Sequence, residues 1–135
     1  LDRIHGFIKG WDLPRMKDDM KACGWALNSE YFATIMHELR EDASYRVIVD
    51  KLVKMPPASD TRDTDAIKKI CTAFLKLLFP RVRKPSDISR NDFWNYCLKP
   101  AMDMRAIIRM QMGHADEKEQ GKTVPDFDVE EIDEE

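Results

Sequence analysis

The sequence has no apolar run approaching the ~18–20 residues that a membrane-crossing helix needs, and no charged-then-apolar leader of the signal-peptide kind. Those absences set aside a membrane partner and give the chain a soluble, cytoplasmic character. Cysteine is sparse as well. Cys23, Cys71 and Cys97 are odd in number, lie far apart and show neither CxxC nor cysteine–histidine ligand spacing. A disulfide framework and a zinc site are both unsupported, and reduced, largely buried thiols are expected.

The residue patterns of stand-alone chemistry are missing too. Gly121-Lys122-Thr123 has the ending of a phosphate-binding loop, but the GxxxxGK pattern requires glycine at position 116, where Asp116 stands, and no strand precedes it. His37-Glu38 lacks the second histidine of HExxH, and His5 and His114 have no ligand partners at useful spacing, so no metal is expected. No Ser-His-Asp or Cys-His arrangement can be assembled. The chain taken alone is therefore not expected to be catalytic.

Strands are nearly absent. Arg3-Ile4-His5-Gly6-Phe7-Ile8 alternates like a strand, yet no second convincing strand pairs with it. Together with a start at Leu1 rather than methionine, this leads us to expect a piece of a larger protein cut near a sheet edge.

What is present is helical. Hydrophobic residues make up 43% and charged residues 35%, a balance that suits one soluble domain. Proline at 14 and Gly24 bracket a short helix over Arg15–Lys21. Asn28 or Ser29 caps a helix with Phe32, Ile35, Met36 and Leu39 on a core-facing stripe. Ser44–Met55 is compatible with a helix, although Val47, Ile48 and Val53 leave strand open. Thr61–Phe79 is the best-specified element, with Ala66, Ile67, Ile70, Cys71, Phe74, Leu75 and Leu78 on one wide face and Asp63 and Asp65 at its positive end. Helices over Asn91–Leu98 and Ala101–Met112 follow, joined or kinked at Pro100. The fold class read from this is mainly α: a small helical bundle with a short strand-like N-terminal segment.

Charge divides the chain. From His114 onward ten acidic residues face two lysines, which leaves Leu1–Gly113 net basic although the whole chain carries −3. Residues 114–135 read as an acidic flexible tail or linker. Between Arg62 and Gly113 basic residues outnumber acidic ones eleven to five. Arg81, Arg83, Lys84, Arg105 and Arg109 are therefore candidates for DNA or other nucleic-acid phosphates, binding that weakens as salt rises. A solvated basic face that answers the acidic tail is the plainer alternative, and Trp11, Trp25 and Trp94 fit core or interface anchors better than base-stacking platforms.

Two arginines stand apart. Arg62, in Ser59-Asp60-Thr61-Arg62-Asp63-Thr64, rides the first turn of the strongest helix, where a guanidinium projects as a fixed fork suited to phosphate oxygens. Arg3 lies in the opening Leu1-Asp2-Arg3-Ile4-His5.

Leu-Asp-Arg-Ile-His with Gly10-Trp11 nearby, the later Ser-x-Thr-Arg-Asp-x-x-Ala-Ile and Leu77-Leu78-Phe79-Pro80, in that order and spacing, resemble the BrxL family, Lon-related AAA+ proteins of BREX phage-defence systems, also described as ATP-dependent Lon-type proteases. The resemblance covers about Leu1–Met112. It implies that residues 1–12 end an ATPase core, that residues 13–113 form a helical lid, and that a Lon-like domain follows. It also implies ATP with magnesium, bound mainly by other parts of the parent, with none expected on the isolated piece. By the same resemblance Arg3 falls at the arginine finger that reaches a neighbouring subunit of a homo-oligomer, and Arg62 at the sensor-2 position that contacts nucleotide on its own subunit. Lon-type proteolysis uses a Ser-Lys pair on a separate domain, and no such pair is evident here. A nucleic-acid-binding module and a plain assembly domain remain the competing classes.

Overall fold

The computed structural model describes residues 1–57 and 59–131 and divides the chain into two units: Leu1–Phe7 with Ser44–Glu135, and Ile8–Ala43. The chain is mainly helical, with one two-stranded sheet among the described residues.

In the larger unit, α2 (Ser44–Leu52) leads into β1 (Val53–Lys54), followed by α3 (Thr61–Leu78), the short α4 (Arg90–Phe93), a π-helical turn (Trp94–Leu98) and α5 (Lys99–Ala115). The central helix starts where its capping residue dictates. The Asp60 side chain accepts from the Arg62 and Asp63 N–H groups at 2.8 and 3.4 Å, an N-cap worth about 1 kcal/mol. From α3, Ala66, Ile67, Cys71 and Leu75 enter a core that also holds Tyr45, Ile48, Val49 and Leu52 of α2 and Phe93, Cys97, Leu98, Ala101 and Ile108 from the C-terminal helices. Leu78 stays half exposed and Phe74 only partly covered, so the buried stripe is narrower than the apolar one.

Segment 44–55 resolves both ways that its composition allows: helix through Leu52, then strand. At Pro100 the expected break takes a specific form. Proline cannot donate to the carbonyl four residues back and its ring crowds it. The π turn immediately before it widens the ladder, so α4 and α5 run on through a bulge.

The tail departs from expectation. Residues 114–131 continue α5 to Ala115, make a 3-10 turn (Glu117–Glu119) and return as β2 (Asp128–Val129), antiparallel to β1 with Val53 opposite Val129 and Lys54 opposite Asp128. Phe127 and Val129 are buried, and Arg90 Nη2 meets both Asp128 carboxylate oxygens at 3.0 Å. Apolar burial at alternate positions outweighs acidity here. Positions 132–135 lie outside the described residues.

The N-terminal segment is a second departure. No strand forms over Arg3–Ile8; Leu1–Ile4 is a turn closed by the Ile4 N–H donating to Leu1 O at 2.8 Å. A Cβ added at Gly6 would lie 3.0 Å from Ile70 Cδ1 and from Met104 Cβ, so the bare glycine lets this segment press against α3 and α5.

The smaller unit holds 3-10 turns at Gly10–Asp12 and Asp18–Met20 and α1 (Ser29–Glu41). Asn28 caps α1, accepting from the Glu30 and Tyr31 N–H groups at 2.9 and 3.1 Å. The helix expected over Arg15–Lys21 shrinks to one turn, because a short segment with no face to bury does not repay its nucleation cost. No residue of this unit is buried. Phe32 and Ile35 keep their helical spacing without becoming core, and Trp11 and Trp25 are exposed.

Candidate functional site: an arginine–carboxylate network beside the start of α3

Spacing of four puts Arg105 and Arg109 on one face of α5, and that face turns inward. Arg105, fully buried, donates from Nε to Asp63 Oδ1 at 2.7 Å, from Nη1 to the carbonyls of Asp2 and Ile4 at 3.2 and 2.5 Å, and from Nη2 to Asp2 Oδ1 at 3.0 Å. Arg109 meets the same buried Asp63 through Nε at 2.9 and 2.7 Å, reaches Glu119 Oε2 at 2.9 Å and lies 3.5 Å from Asp60. Glu119 in turn accepts from Lys122 at 2.7 Å. At the other end, the Asp2 carboxylate bridges Arg105 and Arg62.

Four carboxylates, of Asp2, Asp60, Asp63 and Glu119, thus meet four cations, of Arg62, Arg105, Arg109 and Lys122. Burying a guanidinium is costly unless its donors are matched, and here they are. No buried side-chain polar atom among the described residues lacks a partner. The hydrogen bond to Asp63 leads the interactions that raise the Arg109 pKa, against the opposing effect of burial. At Asp60, partial burial pushes the other way, but the Arg62 and Asp63 N–H groups and Arg109 hold its carboxyl below the ordinary value.

The nucleic-acid reading of Arg105 and Arg109 is corrected by this geometry, since both point into the protein and are spent on carboxylates. Of the remaining cluster, Arg81, Arg83 and Lys84 are exposed. Arg83 Nη1 is nevertheless engaged with Tyr45 Oη at 2.8 Å, Pro80 O at 2.9 Å and Val82 O at 3.2 Å. That arginine fastens the loop after α3 to α2.

Arg62 and Arg3 differ from these. The Arg62 side chain is 67% exposed on the first turn of α3 and borders an open cleft of about 360 Å³ with Asp2, Asp60, Thr61, Arg109 and Glu119. Arg3 is exposed at the tip of the Leu1–Ile4 turn. The structure therefore brings the two candidate arginines to one end of the unit, joined through Asp2. Gly121-Lys122-Thr123 lines a separate hollow of about 350 Å³ against the end of α5. It sits in an irregular segment with Gly121 at φ +79°, not at a strand-to-helix turn.

Among the described residues no group of three histidine, cysteine or acidic side chains is placed to hold a metal ion, and no helix is long and apolar enough to cross a membrane. Cys71 and Cys97 are buried and Cys23 exposed, all three as free thiols.

Residues 1–126 match the family model described as Lon-like protease BrxL-like, ATPase domain. The chain belongs to this family. It is similar to Lon-like protease BrxL of Escherichia coli O9:H4 (strain HS), 30% identical over 112 residues that cover 83% of this chain and 15% of that protein. It is also similar to Lon-like protease BrxL of Bacillus cereus (strain H3081.97), 28% identical over 80 residues that cover 59% of this chain and 12% of that one. The chain thus matches only about a seventh of the length of these longer relatives.

Sequence reasoning missed the carboxylate half of the network. Asp2 and Glu119 carried no signal of their own, and Asp63 was read only as a complement to the α3 dipole.

Proposed function

We propose that this chain works as the helical lid of a longer Lon-like AAA+ ATPase, with Arg62 contacting nucleotide bound to its own subunit and Arg3 reaching nucleotide on a neighbour in a homo-oligomer. The observation that carries the reading is the placement of Arg62: an exposed guanidinium on the capped first turn of α3, over an open cleft. A rigid base loses little freedom when such a fork meets phosphate oxygens. Membership in an ATPase-domain family supports the nucleotide as the ligand.

The residues fit that ligand in part. Arg62 and Arg3 offer exposed donors, whereas Asp2, Asp60 and Glu119 give the cleft a carboxylate lining that disfavours a free anion. This chain contributes arginines, and the loop that cradles phosphates, together with the magnesium, belongs elsewhere in the parent. ATP supplies a γ-phosphoryl group on whose oxygens negative charge gathers during transfer. A guanidinium held at the right distance stabilises that charge, and because Arg62 is fixed to α3, movement at the phosphate becomes movement of the helix. The resemblance to proteins of BREX systems extends the proposal to phage defence.

The test uses the full-length parent. Arg62→Ala is expected to slow steady-state ATP hydrolysis, and an unchanged rate overturns its role. For Arg3, an Arg3→Ala oligomer and an oligomer unable to hydrolyse ATP are each expected to be inactive, and mixing their subunits is expected to restore part of the activity because the neighbour then supplies Arg3 in trans. An Arg3→Ala oligomer as active as the unaltered protein, or a mixture that stays inactive, rejects the assignment.

A further inference from the structure

The Asp2 carboxylate has two partners of different character. Arg105 is fully buried, holds Asp2 Oδ1 at 3.0 Å and also clasps the carbonyls of Asp2 and Ile4, the two residues that flank Arg3. Arg62 is mostly exposed, sits on a long flexible side chain and takes the other oxygen, Asp2 Oδ2. The first partner cannot leave without stranding a buried charge. The second can swing into the cleft that it borders, because its own guanidinium is exposed and Asp2, only 23% exposed, keeps Arg105 as its counter-charge.

We infer that Asp2 is an internal competitor for Arg62, occupying the guanidinium that a nucleotide phosphate would take, and that release of Arg62 leaves Asp2 and the turn carrying Arg3 to Arg105 alone. The inference rests on the proposed contact of Arg62 with nucleotide and adds a regulator to it. Asp2 is a positioning residue: it touches no nucleotide but decides when Arg62 is free. Because the same carboxylate is tied to the turn that presents Arg3, occupancy of one subunit's site is felt at the arginine offered to the next.

Removal of the competing charge has an unusual signature, tighter binding. In the full-length parent, titrated with a fluorescent ADP and with a non-hydrolysable ATP analogue, Asp2→Asn keeps the shape and an acceptor for Arg105 while discarding the charge. Affinity is expected to rise about two- to fivefold, the scale of an ion pair whose cation is exposed. In an Arg62→Ala background the same change is expected to have no effect. Asp2→Ala repeats the measurement with a smaller side chain, and thermal melting of each variant verifies that it folds.

If Asp2→Asn and Asp2→Ala leave affinity unchanged or lower it while Arg62→Ala weakens binding, the competitor role is overturned and the role of Arg62 stands. If Arg62→Ala binds as tightly as the parent, the reading of Arg62 fails and this inference with it. A gain in affinity that persists without Arg62 also overturns the competition, because the effect would then come from the turn alone.

Discussion

Arg109 grips Asp63 side-on: its Nε lies 2.9 and 2.7 Å from the two carboxylate oxygens of a residue that is itself 1% exposed. Since Arg105 shares the same carboxylate, Asp63 fastens α5 to the first turn of α3.

Loss of that anchor leaves the buried Nε donors of both arginines unmatched, although Arg105 keeps Asp2 and Arg109 keeps Glu119 and Asp60. Asp63→Ala is expected to destabilise the chain by about 3–5 kcal/mol, the cost of removing one partner from a buried pair, measured by urea unfolding. A loss below about 1 kcal/mol, as for a surface pair, would contradict the account of the network.

The acidic C-terminal segment should be part of the folding unit. Phe127→Ala is expected to cost about 3–5 kcal/mol, and a chain ending at Val124 should melt at lower temperature. Identical melting of the full and shortened chains would return residues 125–131 to the status of a passive tail.

The thiols should separate by reactivity. Burial pushes the Cys97 thiol up to about 12 and Cys71 higher still, whereas Cys23 is exposed. A thiol reagent at neutral pH should modify Cys23 promptly and the other two only after unfolding. Equal rates at all three would contradict the packing of α3 against the π turn.

Acid should act within a narrow range. Burial tends to raise the Asp50 and Asp60 pKa values. At Asp50 the contacts to Lys68 and Arg46 win, and at Asp60 the Arg62 and Asp63 N–H groups and Arg109 win. Asp65 is lowered chiefly by its hydrogen bond from Lys69. A depressed folded-state pKa contributes stability that is fully present above the unfolded value, near 3.9, and is lost as pH falls through the folded one. Urea midpoints should therefore gain no pH dependence from these groups between pH 7 and 5 and should fall below about pH 4. A steady decline from pH 7 to 5 that disappears in their asparagine variants would contradict this.

The core helix was legible because α3 carries its apolar residues at helical spacing behind a capping aspartate, signals that are local. Membership in the family was legible from motif order. The tail was misread because its net charge masked a strand pattern that was present: Asp126-Phe127-Asp128-Val129-Glu130 alternates strictly, and the alternate positions are the buried ones. Arg105 and Arg109 were misread for a different reason. Spacing says that two arginines share a helix face but not which way the face turns, and the carboxylate that fixes it stands 42 positions earlier than Arg105. Part of the basic excess after Arg62 is met by Asp2, Asp60 and Glu119, which lie outside that stretch.

The most direct test of the account is nucleotide affinity in the full-length parent carrying Arg62→Ala, measured by titration with a fluorescent ADP under fixed salt. Loss of one charge-assisted contact predicts binding weaker by about 10- to 100-fold, the equivalent of about 1.5–3 kcal/mol. An affinity equal to that of the unaltered protein would contradict the claim that α3 presents this guanidinium to a nucleotide.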